Sequence, residues 1–277
     1  MKAVAWVQLV SKLVSLPLLF VLVRSSADGA WALGFFSVVS LLTGFFSLAW
    51  IWRKKLVTWY RPEGADVKKV LRQGAILFFS RVSISFYTAL VPLVLGAVCG
   101  PAQLAFFNVA EKVKTVLLSM IGPVSQALFP RMSLLYQTNV SAANALARKT
   151  AWGVTSLSAF CGAMVWWWAE EILAILGGHD FVDGAPVLRW LSFVPCIVAL
   201  SNILGLQIML PRGQHRAFAV ILTAASVLSL LVIYPFIRAH QAVGAAQLVL
   251  LIESVVTCAM ALYLWRIPIG DMEPKRE

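Results

Sequence analysis

The sequence predicts an all-α fold, a polytopic membrane helix bundle of about eight transmembrane helices. Three observations carry that expectation. Sixty per cent of the 277 residues are hydrophobic and only 13 % are charged, whereas soluble domains are about one quarter charged. The apolar residues gather in eight runs of 21 to 27 residues (3–23, 30–52, 74–98, 104–130, 151–176, 187–210, 217–237 and 242–265), and a helix needs roughly 20 to cross a hydrocarbon core of about 30 Å. All eleven tryptophans fall at or near the end of a run, where the indole meets both acyl chain and headgroup. The runs do not alternate as barrel strands do. So little polar surface excludes a soluble enzyme, a secreted disulfide scaffold and a disordered regulator.

Each element has its own justification. The first run contains Lys12 and lacks a convincing small-residue cleavage site, so it reads as a retained span and not a signal peptide. Gln8, Ser11, Lys12 and Ser15 share one of its faces. After the second run, residues 53–73 form a long basic connection with seven Lys or Arg. Asp66 would cap a short helix starting near Val67. The stretch suits both an orientation determinant lying on anionic lipid and an inter-lobe linker. The third run places Arg81, Ser85 and Thr88 on one face, with Arg81 about 10 Å from the inner end. From there it would snorkel to headgroups or face a cavity.

The fourth run is the richest in polar residues. Asn108, Glu111 or Lys112, Thr115, Ser119, Gly122 and Gln126 recur every three or four positions and mark one face. The other side would carry Val113, Leu117, Leu118, Met120 and Ile121. Such a stripe lines water or packs on a polar neighbour; the alternative is an interfacial helix over 102–114 with a local Glu111–Lys114 pair. In the fifth run Trp166-Trp167-Trp168, followed by Glu170-Glu171, marks a clear boundary. Glu253, in the eighth, is a lone acid suited to pairing with a buried cation or, second, to a proton or sodium site. Pro17, Pro92, Pro123, Pro195 and Pro235 lie within runs and would kink them. Gly96–Gly100 matches GxxxG but ends a helix ahead of Pro101, which favours a turn over a dimer face.

The net charge of +11 is resolved by position. With an inner start, sixteen of the 23 Lys and Arg fall on inner connections, three (Arg24, Arg189 and Arg238) on outer ones, and four (Lys12, Arg81, Lys112 and Lys114) within runs. The positive-inside rule then puts both termini in the cytoplasm. Charge spread over loops gives no case for nucleic acid. At membrane depth four cations face two acids, Glu111 and Glu253. A cavity of that sign suits an anionic substrate such as a phosphate or acidic sugar and would repel organic cations.

No P-loop, HExxH, GxSxG or dinucleotide fingerprint is present, so no enzyme, no cofactor and no ATP drive are expected. Cys99, Cys161, Cys196 and Cys258 are widely spaced, with no CxxC or Cys/His pair, so neither disulfide nor metal is expected. The sequon Asn139-Val140-Ser141 falls on the expected inner side and is discounted.

Residues 71–135, "LRQGAILFFSRVSISFYTALVPLVLGAVCGPAQLAFFNVAEKVKTVLLSMIGPVSQALFPRMSLL", resemble the seventh and eighth helices of bacterial polysaccharide flippases. These are the O-antigen, Wzx-type translocases of the multidrug/oligosaccharidyl-lipid/polysaccharide (MOP) exporter superfamily. The marks are Gly74 with Ser80-Arg81, then "LGAVCGPAQLAFFNVAEK", then "PVSQALFPRMS". Residues 175–205 resemble the following loop and tenth helix. The resemblance implies two six-helix lobes and movement of undecaprenyl-diphosphate-linked oligosaccharide between leaflets by alternating access, in the bacterial cytoplasmic (inner) membrane. It carries Arg81, Glu111, Lys112 and Arg131 into a central translocation cavity; periodicity adds Lys114 and Lys12.

On this expectation residues 1–52 supply two helices like the end of a first lobe, 53–73 a basic cytoplasmic linker, 74–265 a MATE-like, six-helix second lobe, and 266–277 a cytoplasmic tail. Four helices of the first lobe have no counterpart in the chain. The expected partners are the lipid-linked oligosaccharide, membrane lipid, and a glycan polymerase or a missing N-terminal lobe. The alternatives are a related exporter of drug-like cations or of peptidoglycan precursor, and a non-transporting membrane partner of a glycan assembly complex.

Overall fold

The computed structural model describes residues 29–53 and 64–266. The expected span 3–23, with Lys12, therefore lies outside the described residues, as do 54–63 and 267–277. Every regular element among the described residues is helical, and none is a strand. Two compact units divide at Val67/Lys68.

In the first unit, α1 (Gly29–Arg53) coincides with the run 30–52. Its 25 residues span about 38 Å, enough for a bilayer core. Leu41, Phe45 and Leu48 are exposed on it, as they should be where acyl chains replace water. α2 (Gly64–Cys99) runs 36 residues, across the division at Val67/Lys68 and through Pro92. The short helix expected near Val67 is thus the opening of a longer one. Lys68, Lys69 and Arg72 sit in its first turns and not in an extended connection.

The second unit contains the core, with Leu95, Phe107, Leu173, Leu188, Ile237 and Leu248 all buried. Three expected spans are broken. Run 104–130 divides into α3 (Pro101–Ser119) and α4 (Ile121–Thr138). Pro123 has no N–H for the carbonyl of Ser119 and its ring crowds that turn; the Met120 N–H instead bonds back to Leu117. Run 151–176 becomes α5 (Val140–Trp167) and α6 (Ala169–Gly177), bent by 73° at Trp168. The bend falls where the Trp run and the Glu pair marked a boundary. Asn139 caps α5, its Oδ1 accepting from the Ala142 N–H at 2.9 Å. Run 187–210 becomes α7 (Ala185–Leu191), α8 (Val194–Asn202) and a π-helical segment (Ile203–Met209), preceded by a 3₁₀ turn (His179–Gly184).

The last two runs are joined in α9 (His215–Arg266), whose backbone is helical except at Gln241 (φ 51°, ψ −130°). That residue reverses the chain. A Cβ on Gly244 would collide with the carbonyl oxygen of Phe236, and one on Gly205 would meet both Phe218 and Met260. In a straight helix Phe218 and Met260 would be about 63 Å apart. The two arms, 215–240 and 242–266, therefore pack antiparallel, as the separate runs 217–237 and 242–265 require. Residues 179–209 and α9 are long and apolar enough to cross a membrane, and the bent α5–α6 pair counts as a third stretch.

Candidate functional site

The polar residues of α3 separate into two faces. Asn108, Lys112, Thr115 and Ser119 are exposed; at 100° per residue they lie within a narrow sector. Phe107, Ala110 and Lys114 are buried on the opposite side, where α3 packs on α7 and α9. Met120, expected on the apolar side, is exposed. Lys114 therefore leaves the stripe that its sequence neighbour Lys112 occupies.

Glu111 sits at the edge between the two faces. Its Oε1 lies 2.7 Å from Lys114 Nζ, with the lysine side chain 7 % and the glutamate 33 % exposed. Its second oxygen, Oε2, is enclosed and makes no hydrogen bond among the described residues. A buried ammonium needs such a partner, since an isolated charge out of water is very costly. The pair neutralises Lys114 and leaves Lys112 as a cation of the stripe with no ion pair among the described residues. Thr115 and Ser119 turn their hydroxyls back to the carbonyls of Glu111 and Val116 at 2.8 and 2.6 Å, which keeps the exposed face polar without unmet donors.

The other expected site residues are dispersed. Arg81 lies in α2, but its side chain is outside the described set; Ser85 and Thr88 on the same face are exposed. Arg131 is exposed on α4, and neither it nor Lys112 makes an ion pair among the described residues. Glu253 is half-buried in the second arm of α9, where its carbonyl accepts the Thr257 hydroxyl at 2.8 Å. Of the expected residues, the structure brings Glu111 and Lys114 into direct contact.

Sequence reasoning missed two polar groupings. Asn144 Oδ1 accepts from Arg212 Nη2 at 2.6 Å and from the Tyr136 hydroxyl at 3.0 Å. The guanidinium also lies 4.8 Å over the Tyr136 ring. Burial pushes the Tyr136 phenol above its usual pKa, against the opposing pull of Arg212; the hydroxyl stays protonated and donates. The second is Gln207, 2 % exposed in the π-helical segment, whose Nε2 donates to the Ser125 carbonyl at 2.9 Å. Residues 136, 144 and 212 are too far apart in sequence for any periodicity to join them. The π turn has no sequence mark of its own.

Comparison with known proteins supplies the family context. Residues 1–136 match the family described as Polysaccharide biosynthesis protein. The chain is 30 % identical over 267 residues to an Escherichia coli (strain K12) protein named "Putative O-antigen transporter", covering 95 % of this chain and 64 % of that one. It is 24 % identical over 264 residues to a protein of the same name from Shigella dysenteriae, covering 94 % of this chain and 65 % of that one. The chain thus spans about two thirds of the length of these curated relatives, slightly less in each case. No solved structure matches it. The resemblance read from residues 71–135 and 175–205 agrees with these matches: this helical, multi-pass membrane chain is similar to the polysaccharide biosynthesis proteins over residues 1–136 and to two proteins named putative O-antigen transporter over nearly its whole length.

Proposed function

We propose that the chain serves a membrane flippase that moves lipid-linked oligosaccharide across the bacterial inner membrane for polysaccharide or O-antigen assembly. The observation that carries this reading is the exposed stripe of Asn108, Lys112, Thr115 and Ser119 on a helix whose other face is buried. A lysine and an amide facing acyl chains would be strongly unfavourable, so the stripe calls for a water-filled path or a polar neighbour. The relatives' name indicates which cargo such a path would carry.

On this reading Lys112 attracts the diphosphate that links lipid to sugar, and the same role is proposed for Arg81 and Arg131. Glu111 neutralises the buried Lys114 and so limits the positive charge on the path. Asn108, Thr115 and Ser119 offer weak, exchangeable hydrogen bonds to hydroxyls, suited to passage and not to retention. The work is binding and release, with no bond made or broken. Glu253 is kept for charge pairing or, second, for ion coupling.

The test is surface polysaccharide in a strain lacking the gene, complemented with the wild-type chain, Lys112→Arg or Lys112→Glu. The wild type and the arginine variant should restore it, and charge reversal should lower it about tenfold at equal membrane abundance. Polysaccharide that does not depend on the chain would overturn the reading. Chain-dependent efflux of organic cations in its place would favour the drug exporter. Restoration by all three forms, with co-purification of a glycan polymerase, would favour the non-transporting partner.

A further inference from the structure

A second grouping lies where α5 bends into α6. Trp166, Pro186, Arg189, Trp190 and Phe193 line a recess of about 330 Å³, at the low end of the roughly 300–1,000 Å³ of small-molecule sites. Arg189 Nη2 donates to Glu170 Oε1 at 2.8 Å, and its guanidinium stands 5.8 Å over the Trp166 ring. Trp166, Trp190 and Phe193 are 42 %, 40 % and 47 % exposed, and of the three rings Trp166 is the one that carries the guanidinium.

Two aromatic faces beside a fixed guanidinium–carboxylate pair suit a ring with apolar C–H faces and a rim of hydroxyls. The ring stacks on Trp190 and Phe193, while the rim hydroxyls donate to Glu170 and accept from Arg189. Charge distinguishes this ligand from a lipid phosphate. Arg189 is already paired with Glu170, so an anion would meet a guanidinium whose charge is compensated by a carboxylate. We propose that the Trp190–Phe193 platform and the Arg189–Glu170 pair form a subsite for a neutral pyranose ring. That the sugar belongs to an exported glycan rests on the flippase reading; the binding itself does not. By the expected topology this is the outer end of the bundle, where the glycan would emerge.

Saturation-transfer NMR on the full chain in phosphatidylcholine nanodiscs, with maltotriose and with the trimer of N-acetylglucosamine as probes, tests the subsite. Wild-type chain should transfer saturation to ring protons of at least one probe. Trp190→Ala and Phe193→Ala should each lower that signal about fivefold, while Trp190→Phe retains most of it at unchanged thermal midpoint. No transfer to either trisaccharide, or equal transfer in Trp190→Ala, would overturn the proposal. So would preferential retention of phosphatidylglycerol, lost in Trp190→Ala, with no sugar signal; the recess would then be a headgroup site. Sugar transfer that depends on Trp190, in a chain on which surface polysaccharide does not depend, would keep the subsite and remove the flippase reading.

Discussion

Lys114 Nζ lies 2.7 Å from Glu111 Oε1, one turn back on α3, and the lysine is the more deeply buried of the two. An i,i+3 pair on a wet helix surface contributes only a few tenths of a kcal/mol. Here the consequence of breaking it is larger, because one charge would remain out of water.

The two single substitutions should therefore be unequal. Glu111→Gln strands a buried ammonium and should cost about 2 kcal/mol or more. Lys114→Met strands a carboxylate on a side chain that is 33 % exposed, against 7 % for the lysine, and should cost less. Glu111→Gln/Lys114→Met together should recover most of the loss. Thermal midpoints in detergent, taken as a double-mutant cycle, read the coupling; simple additivity would mean that the pair does not hold α3 in place.

The Asn144 amide ties α4, α5 and the connection before α9 through one oxygen. Tyr136→Phe removes one neutral donor and should cost about 1 kcal/mol. Asn144→Ala also strands the guanidinium of Arg212 and should cost about 2–3 kcal/mol. At this size that difference is a midpoint shift of several degrees. Equal shifts for the two variants would refute the shared-acceptor account.

Gln241 has φ 51° and ψ −130°, close to the first central position of a type II′ turn, which favours glycine. Gln241→Gly should raise stability by about 1 kcal/mol by relieving that strain. Gly244→Val should lower it by several kcal/mol, since the Phe236 carbonyl leaves no room for a side chain. A hairpin of this kind predicts opposite signs three residues apart; two losses would argue against it.

Orientation is open to a direct chemical test. With the native cysteines replaced by serine, Gln241→Cys should react in intact cells with a membrane-impermeant maleimide. Gln137→Cys, exposed just beyond Arg131, should react only after permeabilisation. The reverse pattern would place the charge-rich connections outside, against the positive-inside rule.

The sequence showed the helices well because bilayer thickness imposes a length on every apolar run. Runs 30–52, 217–237 and 242–265 keep nearly their expected bounds in α1 and the two arms of α9. It also offered the Glu111–Lys114 pair as an alternative, since a separation of three residues fixes neighbourhood on a helix. The breaks at Met120 and Trp168 were less legible: Pro123 and the Trp run signalled a disturbance but not its angle.

What the sequence determined by itself is the class of the protein and the polar stripe of α3, both set by composition and helical period. Only the tertiary structure decided which face each cation takes. Lys112 and Lys114 are two residues apart and alike in chemistry, yet one is exposed and the other 6 % exposed. The packing of α3 on α7 and α9 selects the face to be covered, and that choice depends on side chains more than seventy residues beyond Lys114. The Arg189–Glu170 pair and the Asn144 junction are decided in the same way. Contacts across 19 and 68 residues carry no period, and they exist only once the helices are laid against one another.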